Sequence, residues 1–274
     1  MNPILKRIIT ALSVLSSIVA ALILFNQYVS PDWTFKIISP ILILLICLVQ
    51  LEFYQMISRR YEVMPICGVL LGLGFLIGTV YYNLPIAGLL LLTFFVLAVL
   101  ILLNWTDKAL EKFATTLFGV IYIPVFLLPL IGFLELSPLH LLFAIFIIKA
   151  SDMGGFALGV SFGRHKLCPN ISPKKSWEGL LGSVIASFLA ILIFTSIFPN
   201  CISSDLTIGS KILLSIGCAV TGTLGDLIES RIKRECKVKD SATFMPAGMG
   251  GFLDMFDSLV FALPFIYGFR VFYF

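Results

Sequence analysis

Apolar stretches long enough to cross a bilayer recur along nearly the whole chain. They limit the fold more than any other feature of the sequence. The nine stretches cover residues 8–25, 37–57, 63–80, 84–103, 114–134, 138–160, 179–198, 208–229 and 252–273. Only helices and closed barrels satisfy their own backbone hydrogen bonds in lipid, and these stretches lack the alternation of barrel strands. The sequence therefore predicts an all-α polytopic membrane protein with about nine transmembrane helices.

The composition excludes an ordinary soluble protein. Of 274 residues, 59% are hydrophobic and only 12% are charged, more apolar surface than a soluble domain of this size could bury. The net charge of +4 is small, and no feature indicates nucleic-acid binding. Lys6 and Arg7 precede the first apolar stretch as in a signal peptide, but that stretch is long for one, so we expect an uncleaved helix. The six cysteines show no paired spacing, and we expect no disulfide framework.

The basic residues predict how the chain is oriented. With a cytoplasmic N-terminus and nine spans, 15 of the 19 Lys and Arg residues fall on the cytoplasmic side, as the positive-inside rule requires. The C-terminus is then outside. Residues 1–135 are predicted to be an N-terminal transmembrane scaffold. Residues 136–274 are predicted to be a catalytic transmembrane region with large cytoplasmic loops at about 161–178 and 231–251.

The first of these loops carries a basic turn just before a helix. Free N–H groups at a helix N-terminus attract anions, and lysines beside them could clamp a phosphate. An ordinary positive-inside loop with a turn and a helix cap is the alternative. The candidate substrate-binding residues are Ser172, Lys174, Lys175 and Glu178 in this loop, with Ser230, Gly250 and Gly251 around the second loop.

The second loop is flanked by carboxylates on both neighbouring helices. Each helix carries two acids and a serine at i, i+3 and i+4, which places them on one helical face. These residues are Asp226, Glu229 and Ser230, and then Asp254, Asp257 and Ser258. Two adjacent helices presenting such acids would form an oxygen-rich site suited to Mg²⁺, with Asp226, Asp254 and Asp257 as predicted ligands. Helix caps and interfacial ion pairs are the alternative interpretation.

Basic residues and a glycine-rich turn lie between the two acidic faces. Lys233, Arg234, Lys239 and Asp240 follow the first face directly. In the turn, backbone N–H groups of Gly250 and Gly251 could reach phosphate oxygens. Neither histidine lies in a nucleophile arrangement, so covalent catalysis is not indicated.

At these residues the chain resembles the phosphatidate cytidylyltransferases, also called CDP-diacylglycerol synthases. The shared pattern is Ser-x-hydrophobic-Lys-Arg, four residues, Lys-Asp, then a Pro- and Gly-containing turn and two spaced aspartates. Its members here are Ser230, Ile232, Lys233, Arg234, Lys239, Asp240, Pro246, Gly250, Gly251, Phe252, Asp254 and Asp257. The upstream "ISPKKSWEG" also resembles a family motif. Two positions depart from the pattern: Met249 replaces a histidine, with one extra residue in the turn, and Met255 replaces an arginine.

The resemblance implies a bacterial cytoplasmic (inner) membrane enzyme that makes CDP-diacylglycerol and pyrophosphate from CTP and phosphatidate. It implies catalytic roles for Lys233, Arg234, Lys239 and Asp240, a Mg²⁺ cofactor, and either a second cation or a Lys239 contact at Asp240. A homodimer is also considered. The alternatives are another CTP-dependent lipid enzyme, such as a polyprenol kinase or an ether-lipid cytidylyltransferase, and a cation transporter. A transporter commonly contains inverted repeats, and we find none in this sequence.

Overall fold

The protein is described here by a computed structural model covering residues 28–103, 108–199, 206–238, 241 and 251–273. Helices account for most of them: α1 Pro31–Ile57, α2 Pro65–Tyr82, α3 Ile86–Leu103, α4 Ala109–Leu136, α5 Pro138–Phe162, α6 Trp177–Ile197, α7 Ile208–Glu235 and α8 Phe252–Tyr273. A π-helical turn, Ile121–Val125, lies within α4 and contains Pro124. A proline removes one helical hydrogen bond, and the wider turn lets the helix continue past it.

Eight helices among the described residues are long and apolar enough to cross a membrane. This confirms the predicted all-α polytopic fold, and the chain is an integral membrane protein. The predicted first helix, residues 8–25, lies outside the described residues, as do both chain termini. Prolines at the first positions of α1, α2 and α5 help to place those helix starts, because a proline there loses no helical hydrogen bond.

Helix α7 continues beyond the end that its hydropathy predicted. We expected it to end near residue 229, with a loop from 231, but it remains helical to Glu235. The extra turns carry ion pairs at i, i+4 spacing, Glu229 to Lys233 at 2.8 Å and Arg231 to Glu235 at 3.6 Å. Such pairs stabilise a helix where the apolar pattern has ended.

The loop before α6 contains a small structure that the sequence did not predict. Strands β1 (Lys166–Cys168) and β2 (Ser172–Ser176) form an antiparallel hairpin. The Ser176 hydroxyl then caps α6 by accepting a hydrogen bond from the Gly179 N–H at 3.1 Å. The hairpin lies at the same end of the bundle as the last turns of α7, because Lys175 of β2 contacts Asp226 of α7. The first loop and the C-terminal part of α7 therefore lie at one end of the bundle.

Two helix crossings bring backbones unusually close. In α5 and α6, a Cβ added to Gly154 would lie 2.5 Å from the Gly182 carbonyl oxygen, so only glycine fits. In α7, a Cβ on Gly225 would collide with the Asp257 carbonyl oxygen of α8. Small residues commonly mark such close helix contacts in membranes. The second crossing places Asp226 directly against α8.

Candidate active site

Lys175 connects the first polar loop to the acidic face of α7. Its ammonium group lies 2.9 Å from Asp226 Oδ2 and donates a hydrogen bond to the Thr223 carbonyl oxygen at 3.0 Å. The side chain is mostly buried, with 22% exposed. A mostly buried lysine with a carboxylate partner is held in one place, so the predicted basic turn is in contact with the predicted acidic face.

Lys233 joins the two acidic helices. Its ammonium group lies 2.8 Å from Glu229 Oε2 on α7 and 2.9 Å from Asp254 Oδ1 on α8. Glu229 is almost completely buried, and its charge would be costly there without this partner. The i, i+3 spacing of acids on both helices therefore produces the predicted facing arrangement, with a lysine between them.

The start of α8 is capped by two carboxylates. Asp254 Oδ2 accepts a hydrogen bond from the Gly251 N–H at 2.9 Å. Glu52 of α1 accepts one from the Leu253 N–H, also at 2.9 Å. Gly251 was predicted to offer its N–H to a phosphate, and in this structure that N–H is bonded to Asp254. Sequence reasoning missed Glu52, whose only local signal is a carboxylate near the end of an apolar span.

A third polar group extends the site onto α5. Lys149 lies 3.4 Å from Asp152 Oδ2 and donates a hydrogen bond to the Met255 carbonyl oxygen at 3.0 Å. The Ser258 hydroxyl donates to Asp152 Oδ2 at 2.7 Å. As their positions inside an apolar span predicted, Lys149 and Asp152 face the protein interior. Sequence reasoning did not assign them to the site.

Among the described residues, the charges of this cluster do not balance: five carboxylates and three lysines give a formal excess of two negative charges. The carboxylates are Asp152, Asp226, Glu229, Asp254 and Asp257, and the lysines are Lys149, Lys175 and Lys233.

The oxygens of the cluster fit a divalent cation. Asp226 Oδ1 is buried and has no hydrogen-bond partner among the described residues. Asp257 lies within electrostatic range of Asp226. In the described part of the chain, no three His, Cys, Asp or Glu side chains form a ready metal site. Mg²⁺ does not require three, since it is often bound by one or two carboxylates with water and substrate phosphates completing its shell.

The other predicted site residues are placed less centrally. Glu178 accepts hydrogen bonds from the backbone and ring nitrogens of His165, the latter at 2.6 Å, so its described contacts are within the first loop. Lys174 and Arg234 are exposed, and Ser172 and Ser230 are half-buried. Lys239, Asp240 and Gly250 lie outside the described residues. The roles proposed for all of them stay predictions.

Five cysteines of the described residues, Cys47, Cys67, Cys168, Cys218 and Cys236, are free thiols. Burial raises the pKa of Cys236, the thiol just after α7, so it is protonated at neutral pH. A protonated thiol is a poor nucleophile.

Comparisons with known proteins identify the family of this chain. A model of the cytidylyltransferase family matches residues 5–273. The phosphatidate cytidylyltransferase of Haemophilus influenzae is 42% identical over 134 residues, 49% of this chain and 45% of the relative. That of Bacillus subtilis is 34% identical over 178 residues, 62% of this chain and 64% of the relative. The chain spans about half the length of the curated relatives it matches. With nearly the whole chain covered by the family model, this protein belongs to the cytidylyltransferase family.

Proposed function

We propose that this protein transfers the cytidylyl group of CTP to phosphatidate, forming CDP-diacylglycerol and pyrophosphate. The observation that carries the proposal is the contact of Lys233 on α7 with Asp254 on α8, beside Glu229. Lys233 belongs to the Lys-Arg part of the shared family pattern, and Asp254 belongs to the part with two spaced aspartates. Family membership and the names of the relatives in Haemophilus influenzae and Bacillus subtilis support this reaction.

The reaction needs no nucleophilic side chain. An ionised phosphate oxygen of phosphatidate attacks the α-phosphorus of CTP. The bond from the α-phosphorus to the oxygen that bridges to the β-phosphorus breaks, and pyrophosphate leaves with the electron pair. Such transfers depend on positioning and on neutralising developing charge. Lys233 and Lys175 are already held in the cluster by carboxylates, so each can supply a positive charge to phosphate oxygens there.

The acidic excess of the cluster suits Mg²⁺. Asp226 and Asp257 are the best placed to hold it, because Asp226 has an unpartnered buried oxygen and Asp257 lies near it. Asp254 is already bonded to Lys233 and to the Gly251 N–H, so it would have to give up one of these bonds to bind the cation. Bound Mg²⁺ would neutralise triphosphate charge and assist departure of pyrophosphate. A second cation at Asp240 stays a prediction about a residue outside the described ones.

The location of the site at one end of the bundle suits substrates from two phases. The diacylglycerol tails would remain in the bilayer between helices, with the phosphate at the level of Lys175 and Lys233. CTP would enter from the aqueous side that holds the hairpin, which we assign to the cytoplasm of a bacterium. The membrane is then the cytoplasmic (inner) membrane.

The test is a reconstituted assay with purified full-length protein, phosphatidate vesicles, Mg²⁺ and labelled CTP. We expect a labelled CDP-lipid and pyrophosphate in equal amounts, both dependent on phosphatidate. Parallel vesicles contain a polyprenol or an ether-linked phosphatidate analogue, and a third set reports cation flux. Label from γ-labelled CTP on polyprenol, product from the ether lipid alone, or cation flux without any CDP-lipid would each replace the proposed function with that alternative.

A further inference from the structure

Glu52 of α1 is a charged side chain enclosed by the protein, with no part of the residue exposed. It lies within the predicted scaffold, and its Oε2 accepts the Leu253 N–H of α8 at 2.9 Å, across 201 positions of sequence. A buried carboxylate is costly unless it is hydrogen-bonded. The first turn of a helix has free N–H groups and a partial positive charge, which makes it a favourable partner.

Gly251 shows how closely Glu52 fits the start of α8. A Cβ added at Gly251 would collide with Glu52 Oε1 and with the Ser241 hydroxyl. The absence of a side chain at 251 therefore lets the carboxylate reach the helix start. Because Glu52 is fully buried, its carboxylate has little room to move away from an added methyl group.

The same turn of α8 orients the proposed catalytic groups. The Gly251 N–H bonds to Asp254 Oδ2, while Asp254 Oδ1 contacts Lys233 at 2.9 Å. Glu52 is therefore linked to Lys233 through two contacts. Glu52 accepts the Leu253 N–H, and the adjacent residue Asp254 contacts the lysine. A displacement of this turn would change the direction of the Asp254 carboxylate and release Lys233.

We propose that Glu52 is a positioning residue for the reaction. It fixes the first turn of α8 from outside the predicted catalytic region, so that Asp254 holds Lys233 where the lysine can meet the substrate phosphates. Its kinetic consequence rests on the proposed function, whereas its effect on α8 does not.

The first experiment measures α8 without any assay of activity. Amide hydrogen exchange is followed in a peptide covering residues 251–256 of the full-length protein in nanodiscs. Glu52→Ala should speed exchange of the Leu253 amide at least tenfold, a difference of about 1.4 kcal/mol. Glu52→Gln keeps an oxygen acceptor and should stay within about threefold of the wild type, by the strength of the retained bond.

The matched control is Gln50→Leu on the same helix. Gln50 is equally buried, but it bonds to the Gly68 carbonyl oxygen and the Tyr54 hydroxyl, away from α8. Gln50→Leu should change the exchange rate of the Leu253 amide by less than about twofold, because Gln50 makes no hydrogen bond to α8 and effects of independent sites do not couple. Unchanged exchange in Glu52→Ala, or equal acceleration in Gln50→Leu, would overturn the proposal.

The kinetic experiment separates positioning from general loosening. Glu52→Ala should lower kcat at least about tenfold while KM for CTP changes less than about threefold, because the lost interaction acts on the reacting phosphates. Glu52→Gln should retain at least about a third of kcat. If the wild type makes no CDP-lipid, the proposed function fails and the exchange experiment still decides the role of Glu52.

A second variant keeps the test decisive if Glu52→Ala does not fold. Gly251→Ala should push the Glu52 carboxylate aside and speed exchange at Leu253. A Gly251→Ala protein that is folded and has wild-type exchange at Leu253 would show that Glu52 does not hold this turn.

Discussion

The α5–α6 and α7–α8 crossings both bring two helix backbones into close contact, but they differ in the side chains that lie beside that contact. Both bring helices together at glycines, Gly154 against Gly182 and Gly225 against the Asp257 carbonyl. At the first crossing the neighbouring side chains are small, including Ser183 and Ala186. At the second crossing Asp226 and Asp257 lie within electrostatic range of each other. Close backbone packing therefore attaches the helices in both pairs, and in the second pair two acidic side chains lie beside the contact.

If the α7–α8 crossing is the catalytic one, removing one of its charges should cost the most. Asp226→Asn and Asp254→Asn should each lower kcat about 10²–10³-fold, as loss of one electrostatic contact in an active site typically does. The proteins should remain folded, since asparagine has nearly the same volume. The measurements are kcat with Mg²⁺ and the thermal unfolding midpoint.

Glu62→Gln is the control for the two aspartate variants. Glu62 pairs with Lys108 and Lys112 at 4.0 and 3.9 Å on the surface, where such pairs are worth little. It should retain wild-type kcat. Near-normal turnover in either aspartate variant would remove that residue from the site.

At the α5–α6 crossing, the prediction concerns stability rather than charge. Gly154→Ala places a methyl group against Ala186 and the Gly182 carbonyl, and overpacking of this kind costs about 1–3 kcal/mol of unfolding free energy. Gly74→Ala in α2 is the matched control, because an added Cβ there meets nothing within 4 Å. Denaturant unfolding in a mild detergent measures both. Equal midpoints in the two variants would show that this crossing is not tightly packed.

Mg²⁺ should stabilise the protein through the α7–α8 pair alone. A cation that binds only the folded state at ten times its Kd adds about 1.4 kcal/mol, and thermal unfolding with and without Mg²⁺ measures it. Asp226→Asn should abolish this shift, and Gly154→Ala should preserve it. A shift of equal size in Asp226→Asn would place the cation elsewhere.

The smallest expected effect is at the end of α7. Lys237 adopts φ 57° and closes the helix: its N–H bonds to the Arg234 carbonyl oxygen and the Val238 N–H bonds to that of Lys233. Glycine is favoured at this left-handed position, so Lys237→Gly should stabilise the protein by up to about 1 kcal/mol. Asn83→Gly, at φ 50° after α2, should gain less, because asparagine tolerates this region better than lysine. Calorimetry of both variants tests the ranking.

Local patterns in the sequence determined the helices and the identity of the acidic faces. Hydropathy located every described span, with boundaries within six residues of those observed, because the part of a segment that lies in lipid must be mostly apolar. The i, i+3 spacing placed Asp226 with Glu229 and Asp254 with Asp257, because helical geometry depends only on sequence separation. The C-terminal end of α7 was less predictable, since hydropathy does not detect that Glu229 and Lys233 continue the helix by pairing.

Contacts between distant segments were decided only by the tertiary structure. Lys175 reaches Asp226 across a hairpin whose strands are too short to show a periodic pattern. Lys149 meets Ser258 over 109 positions, and Glu52 meets Leu253 over 201. Lys149 and Glu52 each look locally like an isolated charged residue within an apolar helix, and Lys175 looks like one of several lysines in a loop. Which of these residues meet depends on how the helices cross, and the crossings depend on where two glycines leave room for a neighbouring backbone.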